Sequence, residues 1–160
     1  MKTYSILIQD ILPLIKREVS RVAAASFSED GTPLYDSIVI TSRDEDVVQE
    51  LMDMRDAQLR KKLRFALKKG GAVPPVDGYA YAVSVSDEFD DALCAVVKKL
   101  MTQYIVKGVL LEWCVRKGVQ TTAVSEKEVL QIEDDIVSHL RTPSYRKAPL
   151  QPFGPRKPTI

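Results

Sequence analysis

Histidine and cysteine, the side chains whose chemistry is easiest to tune near neutral pH, are few in this chain: one histidine, His139, and two cysteines, Cys94 and Cys114. A serine or cysteine triad would have to use His139, yet neither cysteine stands in a recognisable nucleophile context. His139 falls near the end of a helical pattern, where a basic group offsets the helix dipole. Both cysteines lie within an apolar helical pattern, which predicts core thiols and a reducing compartment. The acidic runs Asp90-Asp91 and Glu133-Asp134-Asp135 are consecutive on predicted helices. Neighbouring helical residues point in different directions, so these carboxylates read as solvated caps and faces rather than a dyad or metal site. Gly70-Gly71 lacks the lysine-serine context of a phosphate loop and reads as a helix stop. No zinc spacing or calcium loop occurs. These patterns predict a non-enzymatic protein with no cofactor and no metal.

Charge is unevenly spread. The net charge is +1, but Arg141, Arg146, Lys147, Arg156 and Lys157 place five cations and no acid in the last 20 residues, leaving the first 140 at −4. Five prolines share that segment, and they exclude helix or sheet interior because they lack a donor and fix φ. Tyr145, Leu150, Phe153 and Ile160 are apolar groups that a plain linker does not need. The segment therefore reads either as disordered in the free chain or as a docking arm whose contacts are Tyr145, Arg146, Lys147, Leu150, Phe153, Arg156 and Lys157. A second basic cluster, Arg60, Lys61, Lys62, Arg64, Lys68 and Lys69, reads as a solvated helix end or as a contact for an acidic partner.

The positioning elements are mostly helical. A chain of 160 residues with 45% hydrophobic content suits one domain, here residues 1–140, followed by the arm at 141–160. Apolar spacing predicts a first helix over Tyr4 to Ala25, with Pro13 either kinking it or delaying its start to Ile11. Ser26 to Pro33 reads as a turn, and the β-branched stretch Ser37 to Ile40 as a strand. A second helix is expected from about Asp44 to Lys68, with its apolar stripe on Val48, Leu51, Met52, Leu59, Leu63, Phe65 and Ala66. Tyr79 to Val85 alternates at period two and is expected to pair with Ser37 to Ile40 as a ribbon. The N-terminal apolar run is broken by Gln9 and Asp10 and does not resemble a signal peptide, and no apolar stretch is long enough to span a membrane. A soluble protein is expected.

Ser86 reads as the cap of a long third helix running to about Lys117, with Asp87, Glu88, Asp90 and Asp91 in its first turn. Phe89, Leu93, Val96, Leu100, Tyr104, Leu111 and Val115 form its expected stripe. Gly108 completes that row and predicts a close backbone crossing by another helix. Trp113, Ile105, Val106 and Val109 widen the apolar surface, so this helix is either central to the bundle or shared with a second copy. Tyr104, Gly108, Leu111 and Trp113 are the candidate packing or subunit-interface residues. Gly118 ends the helix, and Ser125-Glu126-Lys127-Glu128 is a capping-box sequence for a fourth, with Val129, Ile132, Ile136, Val137 and Leu140 inward. The expected fold is α+β and mainly helical: about four helices in a bundle, a short two-stranded β element and an extended C-terminal arm.

The order of a helix, a strand entering Ser42-Arg43-Asp44-Glu45-Asp46, a charged helix, Tyr79 to Val85, Phe89 and a long helix through Tyr104-Ile105-Val106-Lys107-Gly108-Val109-Leu110-Leu111-Glu112-Trp113 resembles the small helical head-tail connector proteins of tailed bacteriophages and prophages. The resemblance covers about Asp36 to Trp113. It implies a structural assembly subunit in a ring between portal and tail, with extended arms touching neighbours. Homo-oligomerisation, portal or tail partners, and a place in the bacterial cytoplasm or the virion follow as expectations, with no membrane and no specific nucleic-acid ligand. The first helix and the long basic arm depart from the family's short pattern. The alternatives are a bacterial adaptor using its tail as a peptide ligand, and a non-specific nucleic-acid-associated protein using Lys61, Lys62, Arg64 and the tail.

Overall fold

The computed structural model describes residues 1–68, 74–85, 89 and 91–141. Its elements are β1 (Lys2–Leu7), α1 (Ile8–Ala24), α2 (Tyr35–Ile38), α3 (Glu45–Lys62), β2 (Gly78–Val83), α4 (Asp91–Arg116) and α5 (Glu126–Arg141). Short 3₁₀ turns at Ser42–Asp44 and Leu63–Phe65 flank α3. The architecture is the expected mainly helical α+β bundle with a two-stranded antiparallel sheet. The expected arm, the Gly70-Gly71 stop, the Ser86 cap and the side chains of Asp87, Glu88, Asp90 and Asp91 lie outside the described residues.

The sheet differs from expectation in its partner. Lys2 to Leu7 alternates, with Tyr4 and Ile6 buried and Thr3 and Ser5 exposed, a period of two that makes it a strand rather than the first turns of α1. It pairs with β2 in the register Tyr4↔Tyr81 and Ile6↔Tyr79. Ser37 to Ile40, expected as the partner strand, instead enters the one-turn helix α2 and a short extended exit. The carbonyl of Leu34 accepts the Ser37 backbone N–H at 3.1 Å and its hydroxyl at 2.7 Å, which favours the turn. The carbonyl of Ile38 is taken by the Trp113 indole N–H at 2.7 Å. β2's far edge is covered as well: Lys68 donates to the Ala82 carbonyl at 3.0 Å, and Leu67 bridges to Val83.

Pro13 lies inside α1 and neither delays nor ends it. It and Gln9, whose carbonyl loses its helical donor, are both exposed, so water can satisfy the orphaned acceptor. α3 stops at Lys62, six residues before its expected end at Lys68. The stop of α4 is a full C-terminal motif: Gly118, at φ +67°, donates to Val115 at 3.0 Å and Val119 to Cys114 at 2.9 Å. Ser125 then caps α5, its hydroxyl accepting the Glu128 N–H at 3.2 Å.

α4 packs against α1, α3, α5 and β1 and is the centre of the bundle. Its buried arc is Val97, Met101, Tyr104, Ile105, Val109 and Trp113, whereas Val96 and Val115 from the expected stripe are exposed. A helix apolar on several sides offers more than one plausible stripe, and the neighbours decide which is buried.

Candidate functional site

α3 contributes Val48, Leu51, Met52 and Leu59 to the core, and at that helical spacing the next inward position after Met52 is Arg55. Arg55 is 9% exposed and spans the gap to α4. Its Nη2 donates to Glu112 Oε1 at 2.8 Å and its Nη1 to Gln58 Oε1 at 3.1 Å. The stem crosses directly over Gly108, where a Cβ would stand 2.6 Å from Nε and 2.7 Å from Cδ. The glycine therefore makes room for a guanidinium arm rather than for the helix backbone that its sequence position predicts. Nε itself is buried and finds no hydrogen-bond acceptor among the described residues.

α5 adds the second buried charge. Glu133, expected among solvated acids, is 5% exposed, because it shares a helical stripe with Val129, Ile132 and Ile136. Tyr104 donates its phenol proton to Glu133 Oε2 at 3.2 Å. Lys62 Nζ stands 2.7 Å from Oε1 as an ion pair, off the line of a proper hydrogen bond. Burial, then the charge of Glu133, raises the Tyr104 phenol above its ordinary value. The close approach of Glu133 holds the Lys62 ammonium above its ordinary value.

These groups line a groove of about 730 Å³ between α3, α4 and α5. Tyr104 and Leu111, both named as interface candidates, lie in its wall, and Gly108 lies beneath Arg55. Trp113 does not: it is 2% exposed and packs inside the chain. Val115 and Leu130 also line the groove and remain 66% and 50% exposed. The Tyr145 to Lys157 arm contacts fall outside the described residues.

The basic cluster on α3 is dispersed by its partners. Arg60 bonds Asp56 at 2.7 Å and the Ala80 carbonyl at 3.0 Å, and its guanidinium lies 4.8 Å from the Tyr81 ring centre. Tyr81 in turn donates to Asp56 at 2.6 Å, and Tyr79 to Asp53 at 2.7 Å, so the sheet is bolted to α3 through phenol-carboxylate bonds. Burial and these carboxylates raise both phenols. Lys61 and Arg64 remain exposed.

Cys114 is buried, which pushes its thiol up, and Cys94 is half-buried. His139 is half-buried in the last turn of α5, beside Arg141, whose guanidinium lies 4.6 Å from the Phe65 ring centre. Among the described residues no group of three His, Cys, Asp or Glu side chains could hold a metal ion, and no helix is long and apolar enough to cross a membrane.

Sequence reasoning missed Arg55, Glu112 and Glu133. Two of them carried a signal: Arg55 fills the gap in the stripe between Met52 and Leu59, and Glu133 sits three residues before Ile136. What the groove offers chemically is two buried charges neutralised within the chain, Arg55 and Glu133, with exposed Lys61 and Glu126 and open apolar side chains at its edge, an arrangement suited to holding a chain segment in fixed register. Comparison of the chain with protein-family models, curated proteins and solved structures finds no match.

Proposed function

We propose that this protein acts by assembly, as a connector-like structural subunit of a phage or prophage particle that joins copies of itself and meets portal or tail proteins. Its place of action is then the cytoplasm of a bacterial host or the virion. The observation that carries this reading is the groove between α3, α4 and α5. Its buried charges, Arg55 and Glu133, are paired within the chain, with Glu112 and Lys62, while Lys61 and Glu126 are exposed at its edge and Val115 and Leu130 are left apolar and open beside them. Groups committed to one another in this way suit a contact surface better than proton transfer. The C-terminal segment, with its five cations and its Tyr145, Leu150 and Phe153 anchors, supplies an extended partner for a neighbouring copy.

The test is oligomeric state by light scattering across a concentration series. The full chain is expected to form a defined oligomer. Removing residues 142–160, or changing Val115→Asp with Leu130→Asp, is expected to shift it toward monomer with the far-ultraviolet spectrum unchanged. A full chain that stays monomeric at every concentration sinks the reading.

A further inference from the structure

The opposite flank of α4 carries a second groove, of about 590 Å³, between α4 and α1. Its floor is apolar: Leu14 of α1 with Val106 and Leu110 of α4, the latter two nearly fully buried. Its rim is basic. Arg17, Lys98, Lys99 and Lys107 stand around it, against a single carboxylate among the described residues, that of Glu18. Glu18 is already shared between Arg17 at 3.4 Å and Arg21 at 3.1 Å. Lys107 pairs with Glu128 of α5. Lys98 and Lys99 have no carboxylate partner among the described residues.

From this geometry we propose that the α1–α4 groove is a docking site for an acidic amphipathic helix of a partner protein. The α4 residues lining it run from Ala95 to Leu110, which on a helix spans about 22 Å, the length of roughly fifteen helical residues laid alongside. An apolar floor flanked by cations fits a helix with a leucine-like stripe and carboxylates beside it. The partner's apolar stripe packs on half-buried Leu14 and the thin exposed strip of Val106 and Leu110, and its carboxylates supply the counter-charges that Lys98 and Lys99 lack among the described residues. The chain's own C-terminal segment is excluded as occupant by sign, since it carries five cations and no acid. Nucleic acid is disfavoured by composition: among the described residues the lining contains no aromatic side chain on which a base could stack. This surface is separate from the self-assembly groove, and it would serve a monomeric adaptor equally, so its failure and the failure of the assembly reading are distinguishable.

The test is fluorescence anisotropy with the full chain and a labelled helical peptide of about fifteen residues, leucines on one stripe and glutamates on either side. A control peptide has lysines in place of the glutamates. The acidic peptide is expected to bind and the basic one not. Lys98→Glu with Lys99→Glu is expected to weaken binding about tenfold or more, with the melting curve unchanged, and added salt to weaken the parent. Lys98→Gln with Lys99→Gln, which cannot introduce repulsion, is expected to give a smaller loss in the same direction. Lys61→Glu, on the other flank, leaves binding as it was. The proposal is overturned by equal binding of both peptides, by indifference to the Lys98 and Lys99 changes, or by a short DNA duplex that displaces the acidic peptide with the same lysine dependence.

Discussion

The two flanks of α4 handle charge in opposite ways. Toward α3 and α5, Arg55 meets Glu112, Lys62 meets Glu133, and Tyr104 donates to that same carboxylate. Toward α1, four cations face one carboxylate that is already shared. The first flank ties its buried charges, Arg55 and Glu133, to partners within the chain and so contributes to the chain's own stability, with Lys61 and Glu126 of its charged lining left exposed and outside these pairs. The second leaves Lys98 and Lys99 open, and an exposed unpaired lysine contributes almost nothing to folding. The contrast therefore separates what folding requires from what only binding could use, and each half should respond to mutation in its own assay.

The largest expected effect is at Arg55. Arg55→Ala removes a buried guanidinium and its stem, opens space above Gly108, and costs about 3 kcal/mol of unfolding free energy by urea titration. Lys98→Ala with Lys99→Ala should leave the urea midpoint unmoved. Equal midpoint shifts from the two flanks would break the comparison.

Gly108→Ala is next and is more diagnostic, because its sign depends on Arg55. Alone, the new methyl collides with Arg55 Nε and Cδ and should cost about 1–2 kcal/mol through overpacking. With Arg55 already alanine the collision is gone. The same change should then stabilise by up to about 1 kcal/mol, the intrinsic preference of a helix for alanine over glycine. A double-mutant cycle reads the reversal directly. Additive effects would mean that Gly108 answers to something other than Arg55.

These residues also mark what sequence could and could not convey. The Tyr79 strand, the Ser125 boundary, the Gly118 stop and the mainly helical class were legible because each rests on local chemistry: alternation, a capping hydroxyl, a left-handed glycine. The partner of β2 was not. Ser37 to Ile40 has strand-like residues, but Trp113 takes the Ile38 carbonyl from 75 positions away, and no window on the chain reveals that. Gly108 was legible as a close approach and misread as to what approaches, since a glycine reports space and not its occupant. Arg55 and Glu133 were missed through reliance on residue type. A charged side chain on an apolar stripe is placed by its position, which implies a buried ion pair, and not by its type.

Tyr104 offers a smaller effect with a pH signature. Its phenol is raised above the ordinary value of 10 by burial and by Glu133, so the folded protein holds a proton that the unfolded chain gives up. Stability from this group is full below pH 10 and is lost as pH rises from there toward the folded value. Tyr104→Phe strips Glu133 of its donor and should cost about 1 kcal/mol near neutral pH. The deficit should narrow as the pH passes 10, because only the parent is then losing this contribution. Tyr4, Tyr79 and Tyr81 are raised in the same direction, so both proteins weaken in alkali and the narrowing gap is the readout. Thr102→Val, on the α1 flank, should track the parent at every pH.

Glu128 is where the two flanks meet. It belongs to α5, yet its carboxylate holds Lys107, which lines the α1 groove. Its backbone N–H is the one that Ser125 caps, and substitution of the side chain leaves that bond in place. Glu128→Gln therefore releases one cation into the open flank and removes only a half-exposed ion pair, for a stability change within about 0.5 kcal/mol. If unbalanced positive charge is what distinguishes the α1 flank, an acidic helical peptide should bind this variant about two- to threefold more tightly than the parent, the scale of a single partly exposed pair. The gain should disappear in Lys107→Gln and shrink with added salt. Unchanged affinity would mean that the apolar floor alone sets binding, and that the difference in charge between the flanks is incidental to it.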